Sequence, residues 1–106
     1  MALALRITRR ASCQLDSILD WQRKRFGSTK ASRWRDRIIH HIETLIENPD
    51  RFPESEESEA VGLQIREMPF GKYPNIYRIL YTFDEMAVVV HHIRHAARDR
   101  LTEADF

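Results

Sequence analysis

Hydrophobic positions along the chain recur first at every second residue, then at every third or fourth, and then at every second again. Leu3, Leu5 and Ile7 alternate with Ala4 and Arg6, the pattern of a short strand with one buried face. Thr8 is placed to cap a helix. From Arg9 to Phe26, Ala11, Leu15, Ile18, Gln22 and Phe26 fall on one helical stripe with Leu19 beside it, and Gly27 suits the position after the helix end. Ser28 or Thr29 caps a second helix with the stripe Ala31, Trp34, Ile38, Ile42 and Leu45. It stops at Asn48-Pro49, because a residue before proline resists the α conformation. So short a turn between the two helices predicts an antiparallel helical hairpin.

Residues 49–62 read as a polar loop without regular structure. Leu63 to Met68 reads as a strand, broken by Pro69, Gly71 and Pro74. The apolar runs Ile76 to Phe83 and Met86 to Ile93 flank Asp84-Glu85, the pattern of a β-hairpin with a tight polar turn. The order is β-α-α-β-β-β, a single α+β domain spanning residues 1–106. Its antiparallel sheet is expected to carry the N-terminal helical hairpin on one face.

Arg78 stands out inside this pattern, because a buried guanidinium must be paired or solvated. Tyr77, Ile79, Tyr81 and Phe83 share the strand face expected to meet the helices, which puts Arg78 on the more open face. Arg66 is expected to point the same way. With His95 and Arg98 in the tail that follows, these side chains suggest a site for phosphate or carboxylate. The competing reading of Arg78 is a structural ion pair with an acid such as Glu67.

Charge and cysteine content change the picture little. The net charge of +1 conceals an acidic loop, with five acids and one base in residues 49–60, and a basic helical region, with ten bases and three acids in residues 6–41. The single cysteine, Cys13, cannot form an internal disulfide, and no Cys/His cluster has metal-ligand spacing. Neither a metal nor a cofactor is expected. No apolar stretch approaches the roughly 18 residues needed to span a bilayer. MALALRITRR runs apolar then basic, the reverse of a secretory signal, so no membrane is expected as a partner and the expected location is the cytoplasm.

The element order, the strand I-Y-R-I-L-Y and the ending V-V-V-H-H-I-R-H-A-A-R-D resemble the RelE/ParE superfamily of bacterial toxins. These are the toxic halves of type II toxin–antitoxin modules, often described as plasmid stabilisation proteins. The resemblance covers nearly the whole chain and is most specific at Tyr77 to Tyr81 and at His95 to Asp99. It implies growth inhibition and a cognate antitoxin that lays an extended or helical segment over the helices and sheet.

The superfamily divides by target. RelE-like members are metal-independent endoribonucleases that cleave messenger RNA in the ribosome, using sheet lysines and arginines with an aromatic or histidine near the C-terminus. By resemblance Arg78 matches the sheet arginine, Arg98 the arginine after the last strand, and Arg66 one basic position on the preceding strand. Gln64 stands where the family pattern has a second basic residue, a lysine. The RelE-like tyrosine, six residues past the tail arginine, is here Ala104, and Phe106 cannot exchange a proton. His95, His91 or His92 is the substitute that remains. ParE-like members lack the catalytic set and poison DNA gyrase by binding. The H-x-x-R-D ending, His95 to Asp99, and the short tail look more like that branch; the alternatives are a ribosome-dependent ribonuclease using Arg66, Arg78, Arg98 and His95, and a non-toxic degenerate binding domain.

Overall fold

The computed structural model describes residues 3–97 and 105–106. The alternating N-terminal residues form β1 (Ala4–Ile7), and the two helical stripes form α1 (Arg9–Phe26) and α2 (Ser28–Glu43). Thr8 starts α1: its hydroxyl oxygen accepts from the Ala11 N–H at 3.1 Å, satisfying a donor with no partner inside the helix. Gly27 ends α1 at φ 90°, outside the range most side chains adopt, and its N–H closes on the Arg23 carbonyl. The chain therefore reverses within one residue, and α1 and α2 pack as a hairpin.

Beyond a 3-10 turn (Thr44–Ile46) the polar loop contains a short helix, α3 (Ser58–Val61), where the sequence predicts no regular structure. The Ser58 side chain ties it down, accepting from the Ile65 N–H at 3.0 Å and donating to the Ile65 carbonyl at 2.9 Å. Then follow β2 (Arg66–Lys72), β3 (Asn75–Phe83) and β4 (Ala87–His95). β2 begins later than its apolar residues suggest and runs through Pro69 and Gly71. It tolerates them because it is the outer strand of the sheet, where one side of the backbone has no ladder partner to lose. In the β3–β4 turn Asp84 accepts from the Met86 and Ala87 N–H groups, which holds its carboxyl below the usual range.

The strand order is β1-β4-β3-β2. β2, β3 and β4 form the expected antiparallel meander, and β1 adds to β4 in parallel, so the sheet is mixed. A parallel neighbour needs a long crossover, which α1, α2 and the loop supply. The main core lies between the helices and one sheet face: Leu15, Leu19, Ile38 and Ile42 pack with Met68, Ile79, Tyr81, Val88 and Ile93.

The opposite face is covered as well. Val61, Ile65 and Leu80 form a second apolar cluster there, with Phe106 packed against it. The face expected to be open is therefore roofed by the loop that carries α3. The sequence pattern hints at this in Ile76 and Leu80, which share Arg78's side of the strand.

Candidate functional site

Arg78 lies under that roof, only 7 % exposed. Its Nε and Nη2 donate to Glu67 Oε1 at 3.0 and 2.8 Å, and Nη2 also donates to Glu57, itself buried. Glu57 comes from the acidic loop and is fixed by hydrogen bonds with Ser55. Burial opposes the guanidinium's charge, but the hydrogen bonds and charges of Glu67 and Glu57 outweigh it, so Arg78 is held protonated even more firmly than usual. The expectation of an open-face arginine is thus corrected. Arg78 is a buried ion pair joining β3 to β2 and to the loop, because the loop brings a carboxylate onto a face that the alternation alone leaves uncovered.

Arg66 does not join it. Directly opposed residues of paired strands project to the same face, and Arg66 pairs with Tyr81 while Arg78 pairs with Pro69. The two arginines therefore leave opposite faces of the sheet. Arg66 Nη1 donates to the carbonyls of Phe52 at 2.6 Å and Asp50 at 3.3 Å, and its guanidinium lies 5.6 Å from the Phe83 ring centre. Arg66 anchors the start of the loop.

His95 pairs with Tyr77 in the ladder, and the two rings meet edge to face at 5.3 Å. Tyr77 and Tyr81 are four residue steps apart on β3, roughly 13 Å of strand, so His95 and Arg66 stand at opposite ends of the sheet. Arg98 lies outside the described residues. Arg66, Arg78 and His95 are thus three separate local arrangements, and these positions do not share a pocket.

His91 and His92 are engaged too. His91 Nε2 and Thr82 Oγ1 are hydrogen-bonded at 2.8 Å. His92 is 2 % exposed and bonded on both ring nitrogens, Nδ1 to Gln14 at 3.0 Å and Nε2 to the Asp105 carbonyl at 2.7 Å. Burial pushes both imidazoles below the ordinary histidine value; the neighbouring His92 adds to this at His91, and at His92 the hydrogen bond to the Asp105 carbonyl and the Asp105 charge pull upward while Arg10 and Arg94 push down. Among the described residues no group of three or more His, Cys, Asp or Glu side chains converges as a metal site, and no helix is long and apolar enough to cross a membrane.

Open space lies elsewhere, in two adjoining grooves where the helical hairpin meets the ends of β3 and β4. One, of about 540 Å³, is lined by Trp21, Trp34 and Tyr77 and by three bases, Lys30, Arg33 and Arg37, against one acid, Asp36. The other, of about 820 Å³, runs along β4 past Arg94 and His95 and is walled by α1 through Arg10, Gln14 and Ile18. Trp34 is wedged edge-on against Phe70 at 5.6 Å and Tyr77 at 5.3 Å, whereas Trp21 is 47 % exposed. Trp34 lies on the stripe of α2, whereas Trp21 lies off the stripe of α1 and meets the Phe26 ring edge-on at 5.8 Å. The basic lining is legible as the excess of bases in residues 6–41; its convergence on an aromatic groove is not.

The order of one strand, two helices and three strands, in a mixed sheet with the helical hairpin on one face, is the α+β arrangement that the resemblance implies. The chain belongs to the family described as ParE toxin of type II toxin-antitoxin system, parDE, whose pattern it matches over residues 5–100. One solved structure, of the chromosomal ParDE TA system from P. aeruginosa, has a similar fold: TM-score 0.73 at 19 % identity, covering 89 % of this chain and 96 % of that one. No curated protein matches the chain. This is a type II toxin–antitoxin toxin of ParE type.

Proposed function

We propose that the toxin arrests growth by binding DNA gyrase, without cutting RNA, and that a cognate antitoxin neutralises it by laying an acidic amphipathic segment into the groove between the helical hairpin and the sheet. The observation that carries the first part is the engagement of Arg78. Metal-free RNA cleavage needs cations free to meet the charge that builds on phosphorus. Here the arginine best matched to that role is buried against Glu57 and Glu67, and Arg66 is spent on loop carbonyls.

The second part rests on charge and shape. The groove offers Trp34 and Tyr77 to an apolar stripe and Lys30, Arg33 and Arg37 to carboxylates flanking it. Such a segment orders as it binds, which makes neutralisation reversible by loss of the antitoxin.

Regulated expression in a bacterial host separates the readings. A gyrase-binding toxin relaxes plasmid supercoils and induces a DNA-damage response, with translated messages intact by primer extension. New cuts in those messages with supercoiling unchanged favour the ribonuclease. No growth arrest at all favours a degenerate domain.

A further inference from the structure

Gln14 and His92 fix one another's hydrogen positions. The Gln14 Oε1 accepts from the Ile93 N–H at 2.8 Å, which assigns its amide orientation, so its Nε2 faces His92 Nδ1 as a donor. Nδ1 must then be unprotonated. The hydrogen of the neutral ring sits on Nε2, where it donates to the Asp105 carbonyl. That carbonyl also accepts from Arg10 on α1. Phe106 follows, with its ring 4.8 Å from the His92 ring and 5.4 Å from that of His91, packed against Val61, Ile65 and Leu80.

We propose that His92 is a proton-operated clasp: as the neutral imidazole with its hydrogen on Nε2 it fastens Asp105 and Phe106 over the second apolar cluster, and taking up a second proton opens that cover. A hydrogen on Nδ1 would face the Gln14 amide N–H. Turning that amide would only set its N–H against the Ile93 N–H, so one hydrogen bond is lost either way. The charged groups nearby favour opening on balance. Arg10 on α1 and Arg94 on β4 repel an imidazolium, as does a protonated His91, whereas Asp105 attracts it. The Asp105 carbonyl accepts from either form of the ring and holds the charged one more strongly, so the drive to open comes from burial of the charge and from Nδ1. A ring 2 % exposed that becomes charged must regain water, and Phe106 is what covers it. Opening would bare Val61, Ile65 and Leu80, an apolar patch hidden near neutral pH.

Nitrogen-15 histidine NMR on the full chain from pH 8 to pH 5, with nuclear Overhauser signals between the Phe106 ring and the Leu80 methyls, tests this without reference to any target. The expected result is a His92 ring protonated on Nε2 at pH 8, titrating below its ordinary value, with the Phe106–Leu80 Overhauser signal fading in step. The Ile38 and Ile42 methyl signals should keep their native dispersion. Gln14→Glu places a carboxylate where it accepts from both Ile93 N–H and Nδ1–H, so the His92 titration should move up by about one pH unit while the Phe106–Leu80 signal no longer fades in step with it. In wild type, a ring protonated on Nδ1, a Phe106 signal indifferent to the His92 titration, or collapse of the Ile38 and Ile42 signals at the same pH would overturn the clasp. So would an equal His92 midpoint in wild type and Q14E.

Discussion

What Arg78 contributes is set by what its removal leaves behind. Without the guanidinium, Glu57 remains buried beneath the loop with no cation from β3 to meet its charge, and Glu67 loses the same partner. Breaking a buried pair from one side costs about 3–5 kcal/mol, so Arg78→Ala should lower the unfolding free energy in urea by that amount. An arginine on an open face would cost within about 0.5 kcal/mol, and so small a change would contradict the ion-pair assignment. The histidines act in the opposite sense to an ion pair. Folded His91 and His92 lie below the ordinary value, so as pH falls the unfolded chain takes up protons first. Their contribution to stability is complete above about pH 6.5 and is lost as pH drops through that value toward the folded ones. Urea midpoints should therefore fall between pH 7.5 and pH 5.5, and less steeply in His92→Gln, which cannot titrate there.

At the scale of elements, most of the fold is written in the periodicity. Both helical stripes bury most of the residues that their spacing marks, Ala11, Leu15 and Gln22 on α1 and Ala31, Ile38 and Ile42 on α2, while Phe26 at the end of α1 stays 47 % exposed. The β3–β4 hairpin turns at Asp84-Glu85 as its polar pair indicates. What period cannot supply is the partner across space. The parallel pairing of β1 with β4 follows from where the helical hairpin delivers the chain, and α3 is held by Ser58 against Ile65 rather than by its own propensity. Ser58→Ala should accordingly cost about 1–3 kcal/mol, read by hydrogen exchange at Ile65, since it strands the Ile65 N–H, whereas the Ile65 carbonyl keeps the Ser55 N–H at 2.7 Å. Gly71 is a second such position. It sits at φ 107°, and a Cβ there would meet the backbone oxygen of Asn75. Gly71→Ala should destabilise the β2–β3 turn by about 1–3 kcal/mol in thermal unfolding.

Over the whole molecule, the candidate residues were visible in the sequence but their grouping was not. A strand alternation places Arg66 and Arg78 on faces only once register is known, and register depends on a pairing the sequence leaves open. Glu57 is one of five acids in a loop, and nothing in its spacing marks it as the buried one. The basic groove is the surface that remains once the arginine site is dispersed, and its role is testable by charge. Arg37→Glu should weaken antitoxin binding about tenfold or more by calorimetry, with the fold unchanged by circular dichroism, because Arg37 is exposed and lines the groove. The most direct test of the central claim, a toxin that binds its target and does not cut RNA, is supercoiling of relaxed plasmid by purified gyrase in the presence of the purified chain. Inhibition that grows with toxin concentration and is reversed by the antitoxin is the predicted result. Undiminished supercoiling at a large molar excess of toxin, from a preparation that still cleaves messages on the ribosome, would contradict it.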